Sequence, residues 1–414
     1  MEDSKNLREK NRVLYANTPS VDPILQRTFN QALREQLNDL LATNLCNNHS
    51  NLNTIASSVE KILRNELRHE EWVEVFSDMN LAFLPSYKKT ELTEEEKTKS
   101  YINQTGLIIS VKDCINTIND IYRVKSFIRS VDKALTQLDK QESIHIVYPA
   151  CGPFAPLLLP LISYYKVHHN TLLRQIKLTL IDIQPGATKV LENLVEDLKL
   201  YECNIEILCM DVMEYIPSEG IDLLLMESFQ SGLSHEGHMA FALHLIQFMN
   251  QNGVLLPEKI SITAYLSNCE REYNEQWSNQ SRAHSDLINS DIHNQRIALG
   301  ELLEVSKESL QKITPIALGN SIKLIECNQV YIPKNISDIK DKTLIISAVI
   351  SVFGDEHVAE YDSGISHPLP DMSVCIDFKP TVPEPDDLLV RSGDKLKFYY
   401  KMGSLPGFLP TVAS

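Results

Sequence analysis

The sequence predicts an α/β protein: a parallel sheet covered by helices on both faces, preceded by a helical module and followed by a β domain. Three observations predict it. Short apolar runs at 144–148 (IHIVY), 176–181 (IKLTLI), 205–210 (IEILCM) and 221–226 (IDLLLM) alternate with helical patterns at 156–166, 186–200 and 235–250, the rhythm of βαβ units. Upstream, apolar residues recur at helical spacing. Downstream, period-two and β-branched stretches at 321–332, 343–353, 374–379 and 394–400 are separated by Pro and Gly, the texture of antiparallel strands.

In chain order, Ile24, Leu25, Phe29, Ala32, Leu33, Leu37, Leu40 and Leu41 form a helical stripe over 20–45, opened by Asp22-Pro23. A second helix is predicted over 53–67 (Ile55, Val59, Ile62, Leu63, Leu67) and a third around Trp72, Val73 and Phe76. The charged stretch 84–100 has no stripe and reads as a linker or exposed loop. Residues 270–312 are polar and helical in character. These shifts in texture predict a helical module over 1–100, a sheet domain over 101–257 and a β domain over 258–414 with a helical insertion at about 270–312.

At 414 residues the chain exceeds one ordinary core, and its 43% hydrophobic and 23% charged residues are those of a globular protein. A net charge of −16 argues against broad contact with nucleic-acid phosphates. Eight cysteines are scattered with no CxxC pair, which favours reduced thiols in a cytoplasmic protein over a disulfide framework or a zinc site. The N-terminal "MEDSKNLREKNR" leads into no apolar core, so no signal peptide is expected, and the apolar runs are too short to span a bilayer.

In an open parallel sheet, ligands bind beyond the carboxyl ends of the strands where the chain order reverses. The first strand ends in "YPACGPF", whose single Gly152 marks either a ligand loop or a simple turn. The second ends in Asp182, 30 residues after Gly152, placed to accept ribose hydroxyls or to cap the helix that follows. The third ends in "CMDVMEY", where Asp211 can take an adenine amino group, and the fourth ends in Glu227. Three acidic strand ends without GxxxxGK[ST] or a full GxGxxG suggest an adenosine site lacking a phosphate clamp. S-adenosylmethionine, which has no phosphate, fits best.

The loop "LLLMESFQSGLSHEGHMAF" (223–241) places Glu227 and Glu236 nine positions apart after the fourth strand. It resembles the double-glutamate loop of the protein arginine methyltransferases, and the strand order resembles their class I methyltransferase domain. "NGVLLPEKISITAYL", "LLVRSGDKLKFYYKM" and the segment between them are similar to that family's exit from the sheet domain and its β-barrel. The coverage is roughly 105–414. "NDIYRVKSFIR" is similar to the helix whose arginine meets the cofactor carboxylate, which implies that role for Arg123. The resemblance implies a Rossmann-like S-adenosylmethionine domain followed by a β-barrel. It also implies cofactor contacts from Tyr148, Ala150, Gly152, Asp182 and Ile183, and from Asp211, Val212 and Glu227 beyond them. It further implies a homodimer whose contact arm lies within 270–312. The chain departs from the family in its single-glycine loop, in "SHPLPDM" where a Thr-His-Trp loop is expected, and in having no evident aromatic lid before Arg123.

The chemistry suits the pair. A guanidinium is planar, cationic and weakly nucleophilic, and two carboxylates can hold it flat and draw its charge away from one nitrogen. Glu227 and Glu236 are therefore the candidate catalytic residues for N-methylation of arginine, whether free or in a peptide or protein. The alternative for the loop is a strand-end Glu227 and an exposed first-turn Glu236. For the whole chain the alternatives are a small-molecule methyltransferase with another nucleophile, or a scaffold without catalysis. His235 and His238 read as surface or supporting histidines rather than metal ligands. His367 reads as an exposed turn histidine, or as one orienting Glu236 or the substrate. Cys151 reads as packing.

Overall fold

The computed structural model describes residues 48–138, 142–268, 272, 290–319 and 321–413. The helix expected over 20–45 lies outside them, as does most of the insertion before 290. Helices α1 (Asn48–Arg64) and α2 (His69–Lys89) come first. They bury Ile55, Val59 and Ile62, and Trp72, Phe76, Met79 and Phe83, in a core continuous with the rest of the chain. The stretch expected to be a linker is instead partly helical. Helix α2 runs through Pro85, and α3 (Glu94–Thr98) follows, opened by a Thr93–Glu96 capping box. Phe83, Leu84 and Ser86 remain buried there, and Asp197 anchors the helix end by accepting from Ser86 Oγ at 2.8 Å and Lys89 Nζ at 2.9 Å.

A short hairpin, β1 (Tyr101–Ile102) and β2 (Leu107–Ile108), leads through α4 (Val111–Cys114) to the long helix α5 (Ile121–Leu138). Five strands then form one sheet: β3 (Ile144–Pro149), β4 (Ile176–Asp182), β5 (Asn204–Cys209), β6 (Ile221–Leu225) and β7 (Met249–Leu256). Their order is β5-β4-β3-β6-β7, and every pairing is parallel. Strands β3 and β6 are buried along their whole length, which explains their largely apolar sequences; the two polar residues they bury pair with each other, the His145 amide donating to Asp222 Oδ2 at 2.9 Å. Edge strand β5 is half exposed and so tolerates Glu206. Helices α6 (Leu159–Val167), α7 (Pro185–Asp197) and α8 (His238–Leu245) connect the strands. Helix α1 packs on α6 and α2 on α7. The chain order reverses at β3, which puts the crevice at the carboxyl ends of β3 and β6.

After β8 (Lys259–Ser267) come α9 (Ser290–Gln295), β9 (Ile297–Ser306) and α10 (Lys307–Leu310). Strand β9 corrects the helical reading of 270–312. It pairs antiparallel with β8 from Ile297–Leu266 to Ser306–Lys259, and two register shifts in that ladder hide its period of two. The chain continues through β10 (Ile316–Leu318), β11 (Ile322–Tyr331), β12 (Thr343–Phe353), β13 (Glu356–Val358) and β14 (Leu369–Asp371). It ends with β15 (Val374–Ile376), β16 (Leu388–Val390), β17 (Lys395–Met402) and β18 (Gly407–Val412). Two antiparallel sheets result, β13-β12-β8-β9 with β14 also on β12, and β10-β11-β17-β18. They form a barrel-like region. Strands β15 and β16 pair parallel, a departure from the all-antiparallel expectation.

Candidate functional site

The loop between β6 and α8 doubles back on itself. Gln230 and Ser234 exchange backbone hydrogen bonds at 3.1 and 3.3 Å, and the His238 amide donates to the Ser228 carbonyl at 3.1 Å. These bonds bring both ends of the loop, and with them Glu227 and Glu236, to one cavity. The turn requires left-handed backbone at Gly232 (φ 62°), Leu233 (φ 56°) and His235 (φ 66°). Two of those residues are not glycine, so surrounding structure must hold them there. It does: Tyr400 Oη donates to the Leu233 carbonyl at 2.8 Å, the His235 amide to the Pro406 carbonyl at 3.1 Å, and Ser231 Oγ to the Gly364 carbonyl at 3.0 Å. The β domain thus shapes the loop.

Two adjoining cavities lie at the strand ends. Asp182, Ile183, Asp211 and Val212 line the first; Arg123, Tyr148, Gly152 and Glu227 line the second. Ala150 and Glu236 line both, so they mark the junction. The loop after β3 turns through left-handed backbone at Ala150 (φ 50°), Gly152 (φ 66°) and Ala155 (φ 40°). Two alanines therefore adopt a conformation that glycine usually supplies.

Asp182 holds that loop. Its Oδ2 accepts the Gly152 amide at 2.9 Å and its Oδ1 the Gln184 amide at 2.8 Å. Each oxygen keeps a further lone pair for a ligand hydroxyl. Burial pushes the carboxyl up to about 6, against the pull of the two amides. Asp211 Oδ1 accepts the Met213 amide at 2.9 Å, capping the turn that follows β5. The first cavity's lining carries Asp182, Asp211 and Glu236 and no Lys, Arg or His.

Arg123 sits at the second cavity rather than the first. Its Nη1 lies 2.9 Å from Glu227 Oε1 and its Nε 3.3 Å from Asp120 Oδ2. Asp120 in turn accepts from Ser363 Oγ at 2.6 Å. Burial pushes Glu227 up to about 8, opposed by the Arg123 cation and reinforced by Glu236. Burial likewise raises Glu236 to about 7, opposed by a hydrogen bond from the Gln230 side chain. Glu236 is half-buried and precedes α8, which removes the reading of it as an exposed first-turn residue.

The segment before Arg123 contributes no aromatic side chain to either lining. Leu107, Ile108, Ile109, Val111 and Cys114 line the first cavity, and Ile109, Cys114 and Thr117 the second. This segment is tied to the loop itself: the Leu107 amide donates to the His235 carbonyl at 2.7 Å. A Cβ on Gly106 (φ 147°) would stand 2.5 Å from that carbonyl oxygen, so only glycine fits. The one sequence signal was the turn "NQTG", where Asn103 Oδ1 accepts the Thr105 and Gly106 amides at 2.8 and 3.0 Å. Ser228, which also lines the first cavity, buries a hydroxyl with no hydrogen-bond partner.

Two of the histidines are less exposed than a surface reading implies. His238 is buried with its ring edge-on to Phe229, its Nδ1 has no partner, and burial drives its pKa down to about 3. His367 is half-buried beside Tyr361, with its pKa lowered by burial, and its Nε2 has no partner. His235 is exposed, its Nδ1 2.6 Å from Ser234 Oγ. Burial raises the Cys151 thiol well above its ordinary value, in keeping with packing. Among the described residues no cluster of His, Cys, Asp or Glu is placed to hold a metal, and no helix is long and apolar enough to cross a membrane.

No protein-family model and no curated protein matches the chain. Among solved structures it is similar to a chain of the Trypanosoma brucei PRMT1 enzyme-prozyme heterotetrameric complex with AdoHcy. The identity is 13% over 72% of this chain and 93% of that chain, with a TM-score of 0.41. So distant a likeness carries no weight of its own, and function has to be argued from the site.

Proposed function

We propose that the chain is an S-adenosylmethionine-dependent N-methyltransferase whose acceptor is a guanidine group, in arginine or a compound like it. One observation carries the reading: two adjoining cavities meet at Ala150 and Glu236, and Glu227 and Glu236 converge on the second. The first cavity fits the cofactor's nucleoside. Asp182 and Asp211 offer acceptors for hydroxyl and amino groups, Ile183, Val212, Ala187 and Phe241 supply apolar surface, and Ser228 brings an unpartnered hydroxyl. A lining with carboxylates and no cation repels phosphates and suits a neutral or cationic ligand. The bound cofactor would supply an electrophilic methyl group.

The chain's own residues do the rest. Arg123 holds one oxygen of Glu227 and fixes the orientation of the other. The Glu227 side chain is 7% exposed and Glu236 is half-buried, so the carboxylates act in a medium of lower dielectric than water. There Glu227 and Glu236 grip a guanidinium from two sides, keep it flat, and concentrate its charge away from the reacting nitrogen. Either carboxylate, with its pKa raised toward neutrality, can take the proton that leaves after transfer. The test is incubation with methyl-labelled S-adenosylmethionine and a panel of guanidines, amines and alcohols, with mass analysis of products. Labelled guanidine is the expected product. Label on another nucleophile moves the acceptor class, and cofactor binding without transfer to any acceptor leaves a scaffold.

A further inference from the structure

Away from the cavities, the β domain buries a cluster of charged and phenolic groups around Arg296, whose side chain is 8% exposed. Arg296 Nη1 lies 2.6 Å from Glu360 Oε2, and Nη2 contacts Glu272 Oε1 and, at 3.2 Å, Tyr361 Oη. The guanidinium also stands 4.2 Å over the Tyr265 ring. Tyr361 Oη donates to Glu272 Oε1 at 2.5 Å, and Ser347 Oγ donates to Glu360. Burying such a cluster gains little net stability over apolar packing, because desolvation offsets the attraction. What it supplies is direction, since each donor fits one geometry.

That geometry is a strained one. Tyr361 is buried with left-handed backbone (φ 65°), a conformation a tyrosine keeps only when its surroundings force it. Arg296 and Glu272 grip this residue's hydroxyl, and Arg296 also grips the carboxylate of the residue before it. Two residues further on, Ser363 Oγ donates to Asp120 Oδ2 at 2.6 Å, and the next carbonyl, of Gly364, accepts from Ser231 Oγ at 3.0 Å. Asp120 leads to Arg123 and so to Glu227, while Ser231 lies within the loop that carries Glu236.

We propose that the Arg296 cluster is a positioning device for the acceptor site: it fixes the backbone of 360–364 so that Ser363 and Gly364 set the placement of Glu227 and Glu236. The inference rests on the reading of the second cavity as the acceptor site. Arg296, Tyr361 and Ser363 are positioning residues and touch no reacting atom.

The experiment uses the full chain with Tyr361→Phe, Ser363→Ala and the double variant, and reads hydrogen exchange alongside kinetics. Removing either hydroxyl should speed exchange of the 228–238 amides at least about 10-fold, leaving the parallel sheet strands unchanged. It should raise the acceptor KM or lower kcat by a similar factor while the cofactor Kd stays within about 2-fold. The double variant should be little worse than Tyr361→Phe alone, because Ser363 acts downstream of the backbone that Tyr361 holds. Folded variants in which 228–238 exchange as in the parent overturn the proposal. So does exchange that rises evenly across the β domain, the mark of a merely structural cluster. The exchange measurement needs no turnover, so a parent that methylates nothing defeats the proposed activity while the positioning question is still decided.

Discussion

A guanidinium captured between Glu227 and Glu236 should release protons. Burial raises the two carboxyls to about 8 and about 7, whereas bidentate capture of a cation needs both as carboxylates. Treated as independent groups with those values, the pair would carry roughly 1.7 protons at pH 6.5 and roughly 0.3 at pH 8.5. Capture should therefore expel up to about that many protons, and its affinity should tighten on the order of 100-fold, about 2.8 kcal/mol, between those pH values. Because the two groups repel one another, the measured steps belong to the pair and the transition should be broader than either value implies. The assay is calorimetric titration of arginine or methylguanidine into the protein saturated with S-adenosylhomocysteine, in two buffers of different ionisation enthalpy. The difference in heat gives the proton count directly. Glu236→Gln should remove somewhat less than one proton from the count at pH 6.5. Binding that releases no protons at pH 6.5, or whose affinity is flat with pH, would refute the reasoning, because the carboxyls would then either be ionised already or take no part.

Other outcomes follow from the same geometry. Glu227→Gln and Glu236→Gln should each lower kcat by about 100-fold or more with little change in cofactor affinity, measured by turnover and calorimetry; near-parental turnover would contradict the guanidine reading. Asp182→Ala strips the acceptors from the Gly152 and Gln184 amides, so it should weaken the cofactor at least about 10-fold and also lower stability by roughly 1–3 kcal/mol. Gly106→Ala puts a methyl group into the His235 carbonyl and should cost at least about 10-fold in cofactor affinity, with Gly106→Ser no better, by direct titration. Asp182, Glu227 and Glu236 all have folded pKa values above their ordinary ones. Their stabilising contribution is then complete below the ordinary carboxyl range and is lost as pH rises through about 6–8. The melting temperature of the ligand-free protein should accordingly fall over that range, less steeply in Glu236→Gln.

The parallel sheet was legible because its signals are local. Strands buried on both faces read as apolar runs, and Asp182, the last residue of β4, and Glu227, two residues past the end of β6, follow from counting along each run. The residues that act at a distance were not legible. Nothing near Asp182 reveals that it clamps Gly152, which lies on the neighbouring strand's loop. The segment that lines the cavities before Arg123 has no periodicity to read, being two strands of two residues each and a one-turn helix. Strand β9 reads as helical because its register shifts break the alternation. The stretch from 84 reads as a linker for want of a stripe, yet α2 runs through Pro85 to Lys89 and buries Leu84 and Ser86. His238 reads as a surface residue until the tertiary fold closes Phe229 over it.

The loop bearing both glutamates is held by residues far along the chain, Tyr400 on β17 and Pro406 just before β18. A ribosome delivers those residues some 170 positions after the loop itself. During synthesis the strands of the parallel sheet therefore all emerge well before the residues that align the carboxylates, so the nascent polypeptide would pass through a stage with the strand-end crevice but without the alignment of Glu227 and Glu236. A truncation ending shortly before Lys395 would freeze that stage.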